Sequence, residues 1–186
     1  MARKEKIKKT EQTTAQQLSS LIKSVRQILR KDKGLNGDAD RLPLLTWVMF
    51  LKFLNDLERG REDAAALDGE AYEPLIPAPY RWRDWAARPD GINGDALLAF
   101  LNNDEAIGPT GKRGPGLFAY LRSQGNRDDR NGQRRVIANV FKGVQNRMVS
   151  GYLLRDVLNK INVIRFTSSE EIHTLSHLYE SMLREM

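Results

Sequence analysis

The sequence has no cysteine and only two histidines, His173 and His177. Without thiols there is no disulfide, no thiolate metal site and no cysteine nucleophile, and such a composition fits a reducing, cytoplasmic setting. Long apolar runs are missing too. The most apolar stretch, Leu42 to Leu54, contains Pro43 and Lys52 and falls short of the roughly 18 to 20 residues that span a bilayer, so no membrane association is expected. The basic amino end is not followed by an uninterrupted apolar segment, so no secretory signal is expected either.

Catalytic signatures are equally scarce. No Gly-x-Ser-x-Gly elbow occurs. Gly108, Gly111, Gly114 and Gly116 suggest a phosphate loop only superficially, because Lys112 is followed by Arg113 and not by serine or threonine. His173 and His177 are four positions apart and can share a helical face, as in a zinc site. However, Thr174, Leu175 and Ser176 between them supply no glutamate base, and hydrogen-bonded structural histidines are the simpler reading. Asp40 reads as a helix cap, and Asp128 with Asp129 as loop charges beside Arg127 and Arg130. No catalytic, cofactor-binding or metal residue is assigned.

What the sequence does have is charge and helical period. Its 186 residues are enough for one sizeable core, and one domain is the expectation. The net charge of +6 is unevenly spread. Residues 1–35 carry ten basic and three acidic groups, residues 36–110 seven and fourteen, and residues 111–186 thirteen and seven. Clustered cations displace counterions from a phosphate backbone, so the basic flanks point to a polyanion; the plainer reading is a solubilising surface.

The periodicity predicts a mainly α fold, an irregular multi-helix bundle with a long Pro/Gly-rich central connection and no Rossmann-like domain. Residues 1–12 are expected to be a basic, flexible arm. A first helix, capped by Thr13 or Thr14, carries Leu18, Leu21, Ile22, Val25, Ile28 and Leu29 at spacings of three and four. Asp38 and Asp40 precede a second, from about Arg41 to Arg59, expected to be the centre of the core. The prolines between Glu73 and Tyr80 oppose a helix, and this segment is expected to drape over the core with Trp82 and Trp85. Gly94 to Leu101 and Leu117 to Leu121 are short helical pieces on either side of a flexible Ile107–Gly116 loop. Gln133 to Met148 and Tyr152 to Asn162 are amphipathic helices, followed by an extended linker over Val163 to Phe166. A last helix starts at Ser168 with a Glu171 capping box, and its apolar positions Ile172, Leu175, Leu178, Tyr179, Met182 and Leu183 run to the end.

Three segments in order carry a family likeness: Phe50-Leu51-Lys52-Phe53-Leu54-Asn55-Asp56 within Leu42 to Leu57; Tyr80-Arg81-Trp82; and Leu158-Asn159-Lys160-Ile161-Asn162-Val163-Ile164-Arg165-Phe166 followed by Glu170 to Glu180. Over roughly residues 14–186 the chain resembles the amino-terminal helical domain of the modification subunit of type I restriction-modification systems. In that family the domain precedes an adenine-N6 DNA methyltransferase domain that uses S-adenosylmethionine. The subunit works on double-stranded DNA with a sequence-specificity subunit, a second modification subunit and, for cleavage, a restriction subunit. Neither the family's glycine-rich cofactor loop nor its Asn-Pro-Pro-Phe type motif occurs here, so no catalytic residue carries over.

The resemblance implies a non-catalytic module that helps close the methyltransferase around DNA and contacts partner subunits. Residues 13–186 are then one helical domain, with 168–186 leading into a methyltransferase domain and Tyr179, Met182 and Leu183 at the joint. The expected DNA contacts are Lys4, Lys6, Lys8 and Lys9 of the arm and Arg135, Asn139, Lys142 and Asn146 on one outer helical face. Two rivals are a stand-alone helical adaptor with no nucleic-acid role and a small enzyme built on His173.

Overall fold

A computed structural model describes residues 13–126 and 132–166. Seven helices and one two-stranded hairpin surround a single continuous core among these residues. The first helix, α1 (Thr13–Leu29), turns Ile22, Val25 and Leu29 inward, as the three- and four-residue spacing requires. The second, α2 (Asp38–Leu67), runs eight residues beyond the expected end at Arg59. Gly60 sits inside it, exposed and with nothing near the position of a side chain. A glycine there costs about 1 kcal/mol relative to alanine, and the helix-forming run after it, which includes Ala64, Ala65 and Ala66, offsets the loss. Asp38 and Asp40 are not outside this helix but in its first turn, and the N-cap is Gly37. Asp40 still satisfies an amide, accepting from Asn36 N at 3.0 Å.

The proline-rich connector lies on the core as expected. Tyr80 is buried, stacks on Tyr120 with ring centres 3.8 Å apart, and donates its hydroxyl to Pro115 O at 2.9 Å. The single turn α3 (Trp82–Trp85) then buries both indoles. Glu58, buried on α2, accepts from Leu75 N and from the Tyr72 hydroxyl and so anchors the start of this connector. Burial, then the Glu58 carboxylate, pushes the Tyr72 phenol above its usual value.

After α4 (Gly94–Asn102) the stretch expected to be a flexible loop contains a hairpin. Strand β1 (Glu105–Ile107) pairs antiparallel with β2 (Arg113–Pro115), Ala106 opposite Gly114. Gly111, at φ +75°, supplies the left-handed turn residue, and Arg113 meets Glu105 across the ladder at 3.2 Å. Helix α5 (Leu117–Ser123) and a 3₁₀ turn at Gln124–Asn126 come next.

The largest departure is in the following segment. Helix α6 (Gln133–Val140) covers only the first half of the expected Gln133–Met148 helix. Phe141 turns inward to zero exposure, Gly143 adopts φ +81°, and residues 144–150 run on without regular structure. Helix α7 (Gly151–Asn162) closes the fold, capped by Ser150, whose Oγ accepts from Leu153 N. It packs against α1, α2 and α4 and buries Leu154, Val157, Leu158 and Ile161 completely, so the centre of the core is shared between α2 and α7. Its first residue has no room for a side chain, because a Cβ on Gly151 would overlap the backbone of Gly94.

Two charged residues fix α7 in place. Asp32 is buried after α1 and accepts from Gly34 N at 2.8 Å, Val149 N at 3.1 Å and Ser150 N at 2.9 Å. Arg155 is buried on α7 and donates to the carbonyls of Trp85, Ala86, Arg88 and Ile92. Burial lowers its pKa from the ordinary arginine value. A lysine cannot reproduce a planar fork aimed at four carbonyls. Arg155→Lys is expected to cost about 2 to 3 kcal/mol in denaturant unfolding, and an unchanged midpoint would contradict the assigned role.

A third link, Arg147 to Asp40, ties the 144–150 segment to the start of α2. The Asn36 amide first, and the Arg147 guanidinium second, hold the Asp40 carboxyl below its usual range. A depressed carboxyl stabilises the fold above its unfolded pKa and loses that contribution as the pH falls through the ordinary carboxylate range towards the folded value. Asp40→Asn should therefore flatten the acid limb of a stability-versus-pH curve between about pH 5 and pH 3 and leave the neutral region less affected.

Candidate functional site

The described members of the expected outer face separate. Arg135 and Asn139 lie exposed on α6. Lys142 is exposed too but sits in the turn after that helix, so the seven-residue spacing from Arg135 does not place both on one helical face. Asn146 is a correction. It is buried, with its Nδ2 donating to Met148 O and its Oδ1 accepting from Met148 N, while its backbone exchanges two hydrogen bonds with the side chain of Asn102. All its polar groups are used inside the protein, and none is left to meet a base or a phosphate. Lys4, Lys6, Lys8 and Lys9, both histidines, the Ser168 cap, and Tyr179, Met182 and Leu183 lie outside the described residues, as do Asp128 and Asp129.

A concavity among the described residues was not expected from the sequence. A cleft of about 730 Å³ opens between the second half of α2, α3 and the end of α7. Its floor is an ion pair: Lys52 Nζ lies 2.6 Å and 2.5 Å from the two Asp56 oxygens. Asn55 Nδ2 donates to the same carboxylate at 3.1 Å, and the backbone amide of Phe166 donates to it at 3.0 Å. Lys52 is almost fully buried, and its pKa is lowered chiefly by that burial, against the opposing effect of Asp56. On the opposite wall Trp82 Nε1 donates to Asn162 Oδ1 at 2.8 Å, and Arg83 meets Glu62 at 2.6 Å. The Arg83 contact holds Glu62 below the usual carboxylate range.

The rim carries Arg59, Arg61 and Arg165, all exposed, with Asp63 as the exposed acid. The charges of Arg59 and Arg165 also bear on Lys52 and lower its proton affinity further. The cleft thus has a neutralised floor and a cationic mouth. It has no nucleophile set beside a base, and no group of three or more histidine, aspartate or glutamate side chains able to hold a metal occurs among the described residues. Such a surface can dock an anionic partner; it offers no bond-making chemistry.

The signal for the buried charges was in the helical arithmetic. Lys52 is four positions after Val48 and seven after Leu45, Glu58 is four after Leu54, and Arg155 is three before Leu158. Each occupies an inward position of its own apolar stripe. The partners that Glu58 and Arg155 find, Leu75 N and the carbonyls of Trp85, Ala86, Arg88 and Ile92, lie far away in sequence and could not be read from it.

The family model for the HsdM N-terminal domain matches residues 18–161. Over 169 residues the chain is 40% identical to the type I restriction enzyme EcoEI methylase subunit of Escherichia coli, covering 91% of this chain and 31% of that one. It superposes on a crystal structure of a modification subunit of a putative type I restriction enzyme from Vibrio vulnificus YJ016 with a TM-score of 0.85 and 68% identity, over 93% of this chain and 36% of that one. A chain from a structure concerned with complex assembly and conformational transition of the type I R-M system gives a TM-score of 0.68 and 32% identity, over 92% of this chain and 30% of that one. The chain spans about a third of the length of these relatives. With the match extending from α1 into α7, the chain belongs to the HsdM N-terminal domain family, the amino-terminal domain of type I restriction-modification methylase subunits.

Proposed function

We propose that this chain is the helical DNA-binding and subunit-assembly module of an adenine-N6 DNA methyltransferase modification subunit, itself non-catalytic. The observation that carries the reading is the family match over residues 18–161, joined to a described surface with cationic features and no reactive constellation. The parent subunit uses S-adenosylmethionine and assembles with a sequence-specificity subunit, a second modification subunit and a restriction subunit on double-stranded DNA. No helix among the described residues is long and apolar enough to cross a membrane.

The DNA role rests on the arm lysines and on exposed Arg135, Asn139 and Lys142, with Asn146 excluded by its burial. Because α6 ends at Val140, Arg135, Asn139 and Lys142 do not line up on one groove-reading helix. They supply phosphate contacts, which position a protein without reading sequence. The isolated chain is expected to bind duplex DNA with a Kd on the order of 10⁻⁴ to 10⁻⁶ M at physiological salt. Deleting residues 1–12 or changing Arg135→Ala with Lys142→Ala should weaken binding and make its salt dependence shallower, equally on two unrelated sequences. Correctly folded variants that bind as tightly as wild type at every salt concentration would leave subunit assembly as the module's whole role.

Methyl transfer needs the donor and the adenine amino group held together by a preorganised site. Purified chain incubated with labelled S-adenosylmethionine and DNA is expected to transfer no label above a protein-free control. Sustained transfer by homogeneous material would overturn the non-catalytic assignment.

A further inference from the structure

Between Arg30 and Arg41 the sequence mixes signs: Lys31 and Lys33 flank Asp32, and Asp38 and Asp40 precede Arg41. Packing sorts these charges. Asp32 is turned into the core, where it accepts from the amides of Gly34, Val149 and Ser150. Asp38 stands between Arg26 at 3.5 Å and Arg41 at 3.3 Å. Asp40 is taken by the Asn36 amide and by Arg147. Each acid is therefore already engaged by the protein's own groups, while Arg30, Lys31 and Lys33 are exposed. A stretch that is nearly neutral in sequence becomes cationic at its surface.

The same packing adds two more cations. The 144–150 segment crosses the turn after α1 so closely that a Cβ on Gly34 would lie 2.2 Å from Arg147 O and 2.9 Å from a Val149 methyl. The Arg147 side chain there is 66% exposed even though it meets Asp40. On the other side, the Arg30 amide still donates to Arg26 O at 3.0 Å. Arg30 thus continues the path of α1 and falls on the face of Lys23, an exposed residue seven positions earlier.

We infer that the surface around the end of α1, carried by Lys23, Arg30, Lys31, Lys33 and Arg147, is a contact for the phosphate backbone of duplex DNA. The inference rests on the reading of this chain as a DNA-binding module and adds a surface which that reading did not include. Clustered exposed cations displace the counterions of a phosphate backbone. These cations stand on a backbone already fixed by the Asp32 carboxylate and the close approach at Gly34, so little ordering is needed when the ligand arrives. Val149 is the exposed large apolar side chain of the 144–150 segment, and one valine does not make the apolar, aromatic centre of a protein interface. The attraction of cations to the carbonyl end of a helix fades within the last turn. It accounts for Arg30 and Lys31 and leaves Lys33 and Arg147 without a reason.

The test uses the full 186-residue chain and duplex DNA of two unrelated sequences, titrated across several salt concentrations. Lys31→Ala with Lys33→Ala is compared with wild type and with Lys112→Ala plus Arg113→Ala, a hairpin pair that removes the same charge from another surface. Urea midpoints report whether each variant is folded. The Lys31/Lys33 variant is expected to raise Kd roughly tenfold to thirtyfold and to flatten the slope of log K against log salt by about 2, on both sequences alike. The hairpin variant should change neither by as much, and Lys31→Arg with Lys33→Arg should bind as wild type does. A folded Lys31/Lys33 variant that binds like wild type, or no more weakly than the hairpin control, overturns this inference and leaves the arm and α6 as the DNA contacts. Wild-type chain that fails to bind DNA even at low salt overturns the DNA-binding reading itself, and this surface with it. Polyglutamate serves as the acidic-protein probe. If the Lys31/Lys33 variant loses polyglutamate binding while its DNA affinity stays that of wild type, the inference also falls and the surface belongs to an acidic protein.

Discussion

The fold depends on a buried guanidinium held by backbone carbonyls. Arg155 enters the core from α7 and finds four carbonyl oxygens, those of Trp85, Ala86, Arg88 and Ile92, at the point where the chain turns after α3. Burying a charge is costly unless its hydrogen-bonding capacity is met, and here the irregular backbone after the tryptophans meets it. The same contact meets the needs of that backbone, whose carbonyls have left a helix after a single turn and would otherwise be buried without donors. Asp32 is the mirror case: a buried carboxylate that satisfies the amides of Gly34, Val149 and Ser150. One buried cation and one buried anion, about 120 positions apart in sequence, therefore stand in for regular secondary structure at two of the places where loops bound the core.

How much of this was legible depends on what each residue needs. The inward faces of α1 and α7 come from three- and four-residue spacing alone, because Val25, Leu29, Leu154, Val157 and Leu158 have no other way to leave water. The two glycines at positions 60 and 143 behaved oppositely. Gly60 is followed by a run of good helix formers and α2 passes through it, whereas Gly143 takes a left-handed conformation that ends the turn after α6. The reason lies in tertiary structure, since Asn102 claims the backbone of Asn146 and draws the chain out of helical register. No local pattern announces a partner 44 residues away. That is also why Asn146 read as a surface residue and proved to be a core one.

The candidate site divides along the same line. Exposed cations such as Arg135 and Lys142 were visible as charge, but the cleft was not, because it is assembled from α2, α3 and the end of α7 and exists only once those elements are packed. Its floor was the least expected part. Lys52 and Asp56 are four apart, a common surface pairing on helices, yet both lie against the core, and the carboxylate also accepts the Phe166 amide. An apparent solubility feature is thus the support on which the last described residues rest.

The position of α7 sets an order of events during synthesis. Helices α1, α2 and α4 leave the ribosome long before α7, and each packs part of its surface against it. Until residues 149–155 emerge, the carboxylate of Asp32 lacks two of its amides and the carbonyls of Trp85, Ala86, Arg88 and Ile92 lack their donor. A nascent chain stopped before that point has most of its apolar residues and cannot close over them. Completion of the module is therefore a late, near-simultaneous event triggered by its final described helix, and translation through that stretch is the interval in which the chain most needs protection from aggregation.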